Sequence, residues 1–239
     1  MSGRRGSGGS GDIGNNAGGG PATDSLAPTV LVVDNYDSFA YNLVQYVAEA
    51  IDAPDPGEQG PGDARVVVRR NDAIDRAGIE DLDPDGVVVS PGPGHPTAAG
   101  VSMDVFRTDY PALGVCLGHQ ALCAVHGAHV GHAPAVVHGK ASTVRHDGRG
   151  VFAGLPEQFL VGRYHSLAVE RSALPGALAE TAATDDERAV LMAVRHRERP
   201  HVGVQFHPES ILTGRDADDR SLALGKRLVA NFCERCSTT

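Results

Sequence analysis

The ordered part of the chain opens at Thr29-Val-Leu-Val-Val-Asp34, a run of branched apolar residues closed by a carboxylate. Such a run predicts a strand covered on both faces. Phe39, Leu43, Val47 and Ala50 follow at helical spacing, with Asp37 placed to cap the helix. Further apolar runs predict strands over 65–69, 86–90 and Ala112–Val115, with a weak helix over 100–108 and a firm one over Leu117–Val125. This alternation predicts an open, mostly parallel α/β sheet with helices on both faces. Beyond residue 129 the pattern changes. Short strand-like pieces at 135–138, 158–164 and 190–196, with little helix between them, predict antiparallel strands added at the sheet edge. A buried strand over 201–206 and a helix over 222–233 close the chain.

Two segments lack any such period. Residues 52–64 are rich in Asp, Pro and Gly and read as a surface loop. Residues 1–28 hold nine glycines and nothing periodic to bury, so a disordered tail is expected there. One domain over 29–236 remains.

Composition narrows the classes of function. The chain has 239 residues, 30 acidic against 21 basic, and a formal charge of −9. That balance argues against a general nucleic-acid or anionic-membrane binder. No apolar run approaches the roughly 20 residues of a membrane helix, and Arg4-Arg5 is followed by no apolar segment. Four cysteines in a chain with an ample core do not read as a disulfide scaffold, so a reducing cytoplasm is expected.

Candidate chemistry starts at Gly114-Val115-Cys116-Leu117-Gly118, between a predicted strand and a predicted helix. That is the context of a nucleophile elbow with Cys in place of Ser. The thiol then lies at a helix N-terminus, which favours thiolate, and the Leu117 amide points into the same space as an oxyanion donor should. Two other readings compete. Free cysteine is most often a small core residue. Cys116, His119, Cys123 and His126 also fall at ligand-like spacing for zinc. One straight helix cannot wrap four ligands around an ion, however, since residues 116 and 126 would stand about 15 Å apart along its axis.

A base is available at the end of another buried strand. In Gly203-Val204-Gln205-Phe206-His207-Pro208-Glu209-Ser210, His207 and Glu209 are two apart, so an extended backbone turns them to the same side. The carboxylate fixes the imidazole tautomer and supports its charged form, as a cysteine nucleophile requires. Both Cys116 and His207 fall at carboxyl ends of strands, where doubly wound sheets place their sites. Ser90-Pro91-Gly92-Pro93-Gly94 follows the strand at 86–90; its glycines allow close approach of a ligand and its prolines stiffen the loop, as they would in an ordinary turn.

Five segments together resemble the class I (triad) glutamine amidotransferase family: DNYDSF at 34–39, SPGPG at 90–94, GVCLGHQ at 114–120, GRYHSL at 162–167 and GVQFHPES at 203–210. DNYDSF, HGK at 138–140 and HPESILTG at 207–214 place the chain nearest the small subunits that serve anthranilate and aminodeoxychorismate synthases. The resemblance implies a flavodoxin-like sheet and a triad of Cys116, His207 and Glu209. It implies attack of Cys116 on the side-chain amide of L-glutamine, with Gly92 and Leu117 as oxyanion donors. Gly92, Pro93, Gly94, Gln120, Ser166 and Leu167 would line the glutamine pocket. Ammonia would pass to a chorismate-using synthase large subunit, in a heterodimer or heterotetramer. No metal or cofactor is expected on this chain; magnesium is expected on the partner. The other readings are service to the folate branch and a non-catalytic partner-binding module.

Overall fold

The computed structural model describes residues 28–53, 64–133, 136–216 and 221–236. The segment 1–27 and most of the 52–64 loop therefore lie outside the described residues. The strands are β1 (Thr29–Asp34), β2 (Arg65–Arg70), β3 (Gly86–Val89), β4 (Ala112–Val115), β5 (Val130–His132), β6 (Lys140–His146), β7 (Gln158–Arg163), β8 (Leu167–Val169), β9 (Leu178–Thr184), β10 (Leu191–His196) and β11 (His201–Val204). The helices are α1 (Ala40–Ala50), α2 (Arg76–Leu82), α3 (Ser102–Val105), α4 (Leu117–Val125) and α5 (Ala223–Cys236).

Nine strands form one sheet in the order β2-β1-β3-β4-β11-β10-β9-β6-β7, and β5 pairs with β8 apart from it. The first five run parallel. From β11 outward every pairing is antiparallel. The sheet thus joins a doubly wound parallel half to an antiparallel edge, as the change of pattern near residue 129 predicts.

Covering on both faces explains the unbroken apolar runs. In β1, Val30 and Val32 pack into the core under α1 and α5, while Leu31 and Val33 pack into the opposite core under α2, α3 and α4. Polar residues at either set would leave a buried group without a partner.

Some expectations need correction. Asp37 does not cap α1: its carboxylate accepts from the Phe39 amide at 2.8 Å, two residues ahead of the N-cap position, and the helix starts at Ala40 behind Phe39. Phe39 leaves the core face and turns to the site. The weak helix over 100–108 is one turn, α3. No strand is present over 136–138, and residue 135 lies outside the described residues. Helix α2 went unpredicted because only Ile79 in it is buried. Its start is nevertheless a capped one, with the Asp75 side chain accepting from the Gly78 amide at 2.9 Å.

The chain reverses direction across the sheet between β1 and β3. Carboxyl ends at such a switch form the crevice of an open sheet. Here the crevice floor is a buried polar knot. The Asn35 amide nitrogen of the backbone donates to Ser90 Oγ at 2.9 Å and its side chain donates to Ser90 O at 3.0 Å. Asn71 and Ser102 both donate to Asn35 Oδ1. This knot anchors the 90–94 loop to β1.

Candidate active site

Cys116 stands between β4 and α4 with φ 53° and ψ −98°, a conformation that few residues other than glycine adopt. Two glycines make that turn fit. A Cβ at Gly114 would lie 2.4 Å from the Gly118 carbonyl group, and one at Gly118 would lie 2.5 Å from the Val89 carbonyl oxygen. The Cys116 amide donates to Val204 O at 2.8 Å, which locks the elbow to β11. Leu117 opens α4, where helix geometry leaves its N–H without an intrahelical acceptor.

His207 follows β11 and is almost wholly buried, as is Glu209. Nδ1 of His207 lies 2.7 Å from Glu209 Oε1. A carboxylate accepts, so Nδ1 carries the proton and Nε2 is left on the side of the Cys116 thiol. Nε2 and the thiol do not form a well-shaped hydrogen bond in this arrangement. Burial opposes charging of the ring, but the adjacent Cys116 sulfur in its thiolate form, and then the bond and charge of Glu209, outweigh it and raise the imidazole to about 10.

The segment is held from several sides. The His207 amide donates to Gly162 O at 3.0 Å, and Thr213 Oγ1 donates to His207 O at 2.7 Å. Tyr164 meets the imidazole edge-on at 4.9 Å between ring centroids, and Phe39 does so at 5.6 Å. The Tyr164 hydroxyl is 3.0 Å from Ser210 Oγ.

The loop at 90–94 reaches the same place. Pro91 and Pro93 have no N–H, so beyond Ser90 only Gly92 and Gly94 offer backbone donors in this loop. A Cβ on Gly92 would lie 2.5 Å from Asn35 Cβ and 3.3 Å from the Leu117 side chain, so Gly92 sits directly beside the elbow. Pro93 and Leu117 line a cleft of about 350 Å³ with Asn35, Tyr36 and Asn71. Gly94 is exposed, with φ 81° and open space around it. A larger cleft of about 850 Å³ lies beside β8, among His132, Arg171 and Arg188, and contains none of the triad.

Ser166 is exposed and its carbonyl accepts from the Ala133 amide. The Leu167 carbonyl accepts from His165 Nδ1 at 2.9 Å and from Gln120 Nε2 at 3.1 Å. Gln120 is buried behind the elbow. His165 Nε2 takes a bond from Arg163 Nε at 3.1 Å, so this ring is neutral, and burial followed by the Arg163 charge lowers it to about 4.

Gln205 was missed by sequence reasoning. It is fully buried, and its Nε2 lies 3.7 Å from Cys116 Sγ. The signal was present: Gln205 and His207 are two apart, like His207 and Glu209, and so share a side of the strand end.

The four helix-spaced Cys and His side chains go to different places. His119 packs against Gly203, Cys123 lies 3.9 Å from His119, and His126 meets His196 at a tilt, with 4.6 Å between ring centroids. Among the described residues no group of three or more His, Cys, Asp or Glu side chains is arranged to hold a metal ion.

Comparison with known proteins gives the family. The chain is 62% identical over 205 residues, 85% of its length, to 96% of a protein from Haloarcula marismortui named anthranilate synthase component II. It is 43% identical over 208 residues, 86% of its length, to 95% of a Bacillus subtilis protein named aminodeoxychorismate/anthranilate synthase component 2. The crystal structure of a glutamine amidotransferase from Thermotoga maritima shares the fold, with a TM-score of 0.69 at 15% identity over 89% of this chain and 99% of that one. Residues 31–219 match the family described as glutamine amidotransferase class-I, and the chain belongs to that family.

Proposed function

We propose that this chain is the glutaminase subunit of an anthranilate synthase. The observation that carries the reading is the constellation at the strand ends: a strained Cys116 at a helix N-terminus, facing an imidazole that Glu209 orients and whose charged form it stabilises once the proton has arrived. The thiol passes its proton to His207 and sulfur attacks the side-chain carbonyl carbon of glutamine. The amides of Gly92 and Leu117 take the oxyanion. The C–N bond breaks, His207 returns the proton to the leaving nitrogen, and a glutamyl thioester remains. Water, deprotonated by His207, attacks the thioester; the C–S bond breaks and glutamate leaves. Ser166 and Leu167 supply the wall against which the glutamine backbone rests.

The Haloarcula relative supports the tryptophan branch, and with it a chorismate-using large subunit as partner. Magnesium belongs to that partner's chemistry in this reading, and this chain needs no cofactor. Four free, buried thiols suit a reducing cytoplasm. The Bacillus subtilis relative, named for both synthases, favours a second reading in which one subunit serves both branches.

The test is anthranilate fluorescence with a candidate large subunit, chorismate, magnesium and glutamine. Glutamine supports the reaction with the wild-type chain, and Cys116→Ser supports it only with ammonia. Failure of glutamine with success of ammonia rejects the pairing, and aminodeoxychorismate formation is then measured.

A further inference from the structure

The polar side chains behind Cys116 form a line with a fixed direction. Gln120 Nε2 donates to the Leu167 carbonyl at 3.1 Å and to Gln205 Oε1 at 3.2 Å. Gln205 Nε2 then donates to Cys116 Sγ at 3.7 Å. Gln120 and Gln205 are both buried, so neither end of either amide turns to bulk water.

The two ends of a carboxamide are alike in shape, and only the partners tell them apart. A backbone carbonyl can only accept. Leu167 O therefore fixes the near end of Gln120 as NH2. That NH2 fixes the facing end of Gln205 as oxygen. The far end of Gln205, at the sulfur, must then be the donor. Reversing Gln205 would set two donors against each other at Gln120 and press an oxygen against the sulfur. The polarity at the nucleophile is thus imposed from Leu167, some way from the sulfur itself. Leu167 O is further held by His165 Nδ1 at 2.9 Å.

A neutral N–H suits this position. A second cation would compete with His207 for its role, and a second base would compete for the thiol proton. An amide donor stabilises negative sulfur and does neither.

We propose that Gln205 is a further catalytic residue of the glutaminase, donating to the Cys116 sulfur when it is thiolate before attack and again when it leaves the thioester, with Gln120 as the positioning residue that sets its direction. The assignment rests on the glutaminase reading for its catalytic role. Its effect on the sulfur is measurable without turnover.

The experiment follows alkylation of Cys116 by iodoacetamide in the full chain, read by mass spectrometry of the peptide, across pH. Hydrogen bonds to charged groups are worth enough to change thiolate population by about tenfold. Gln205→Met, nearly the same volume, slows alkylation about tenfold near neutral pH. The rates converge at high pH, where the thiol is ionised in both proteins. Gln205→Glu, which puts an acceptor at the sulfur, is slower still, and Gln120→Met gives an intermediate rate. In glutamine hydrolysis kcat falls and KM changes little. Wild-type alkylation rates across the whole range in a folded Gln205→Met protein overturn the proposal. If Gln205→Met does not fold, a wild-type alkylation rate in Gln120→Met overturns it instead. A wild-type chain that alkylates but never hydrolyses glutamine with any partner rejects the glutaminase reading, whatever the variants show.

Discussion

Gly225, the third residue of α5, sits so close to Pro208 that a Cβ on it would stand 1.8 Å from the Pro208 carbonyl oxygen. Pro208 lies between His207 and Glu209, so the closing helix and the imidazole–carboxylate pair are fitted to each other. Backbone meets backbone here and neither can swing aside. Gly225→Ala therefore forces α5 or the 207–209 segment to move, at a cost on the order of 1–3 kcal/mol or more. The expected outcome is a lower melting temperature together with at least a tenfold loss of kcat for glutamine, measured on whatever folded fraction remains. A variant with wild-type values of both would reject the contact.

The elbow gives a sharper contrast between two glycines. Gly118 has no room, since its Cβ would lie 2.5 Å from Val89 O, whereas Gly94 has nothing within 4 Å and only a positive φ of 81°. Gly94→Ala should cost about 1 kcal/mol of backbone strain and leave the fold intact. Gly118→Ala must push α4 away from β3 and should cost several times more. Urea midpoints of the two variants decide it, and equal losses would show that φ, not clearance, governs this region.

The parallel half of the fold was readable because both faces of β1 and β3 are covered, which writes an unbroken apolar run into the chain. Of the antiparallel edge, β7 and β10 were readable and β6 and β9 were not. Strand β9 reads LAETAAT, in which small and polar residues hide the period, and β6 buries only Val144. Their place is set by pairing with neighbours that local sequence does not name. The same holds at the site. Cys116 and His207 stand out as functional side chains at ends of buried strands. Gln205 shares the strand side of His207, but what it does there shows only when Gln120 and Leu167, 85 and 38 residues away in the chain, are brought alongside.

Three buried histidines should make the protein acid-sensitive. Burial, then Arg199, His196 and His126, lower His201 to about 4. Burial and Arg163 do the same for His165, and burial does it for His119. Each takes its proton near ~6.5 in the unfolded chain. Between those values the unfolded state binds more protons, so stability is complete above about 6.5 and declines as pH falls toward 4. His207 acts the other way: raised to about 10, it adds stability below ~6.5 that is withdrawn as pH climbs through 10. His201→Phe places an apolar ring beside Phe106, whose own ring lies 5.6 Å from the His201 ring. The variant should flatten the decline of urea midpoint between pH 6.5 and 4.5 by roughly one proton, about 1.4 kcal/mol per pH unit. An unchanged slope would show that His201 takes no part.

The last prediction concerns the partner. Tyr41, Val136 and Ile211 are 63%, 72% and 57% exposed, unusual values for large apolar side chains. All three flank residues that surround Tyr164. Phe39 lies 5.3 Å from the Tyr164 ring, His138 lies 5.9 Å from it, and Ser210 meets its hydroxyl. Tyr164 in turn touches His207, so a partner seated on these side chains would press on the base of the triad. Tyr41 is on the outer side of α1 and makes no part of the triad's support. Tyr41→Glu should leave melting temperature and the free subunit's own glutamine hydrolysis unchanged. Glutamine-dependent anthranilate formation with the large subunit should fall at least tenfold, because a charge buried against an apolar partner is strongly unfavourable. Ammonia-dependent formation, which needs only the large subunit, should persist. Full glutamine coupling in Tyr41→Glu and in Ile211→Glu alike would move the docking face elsewhere.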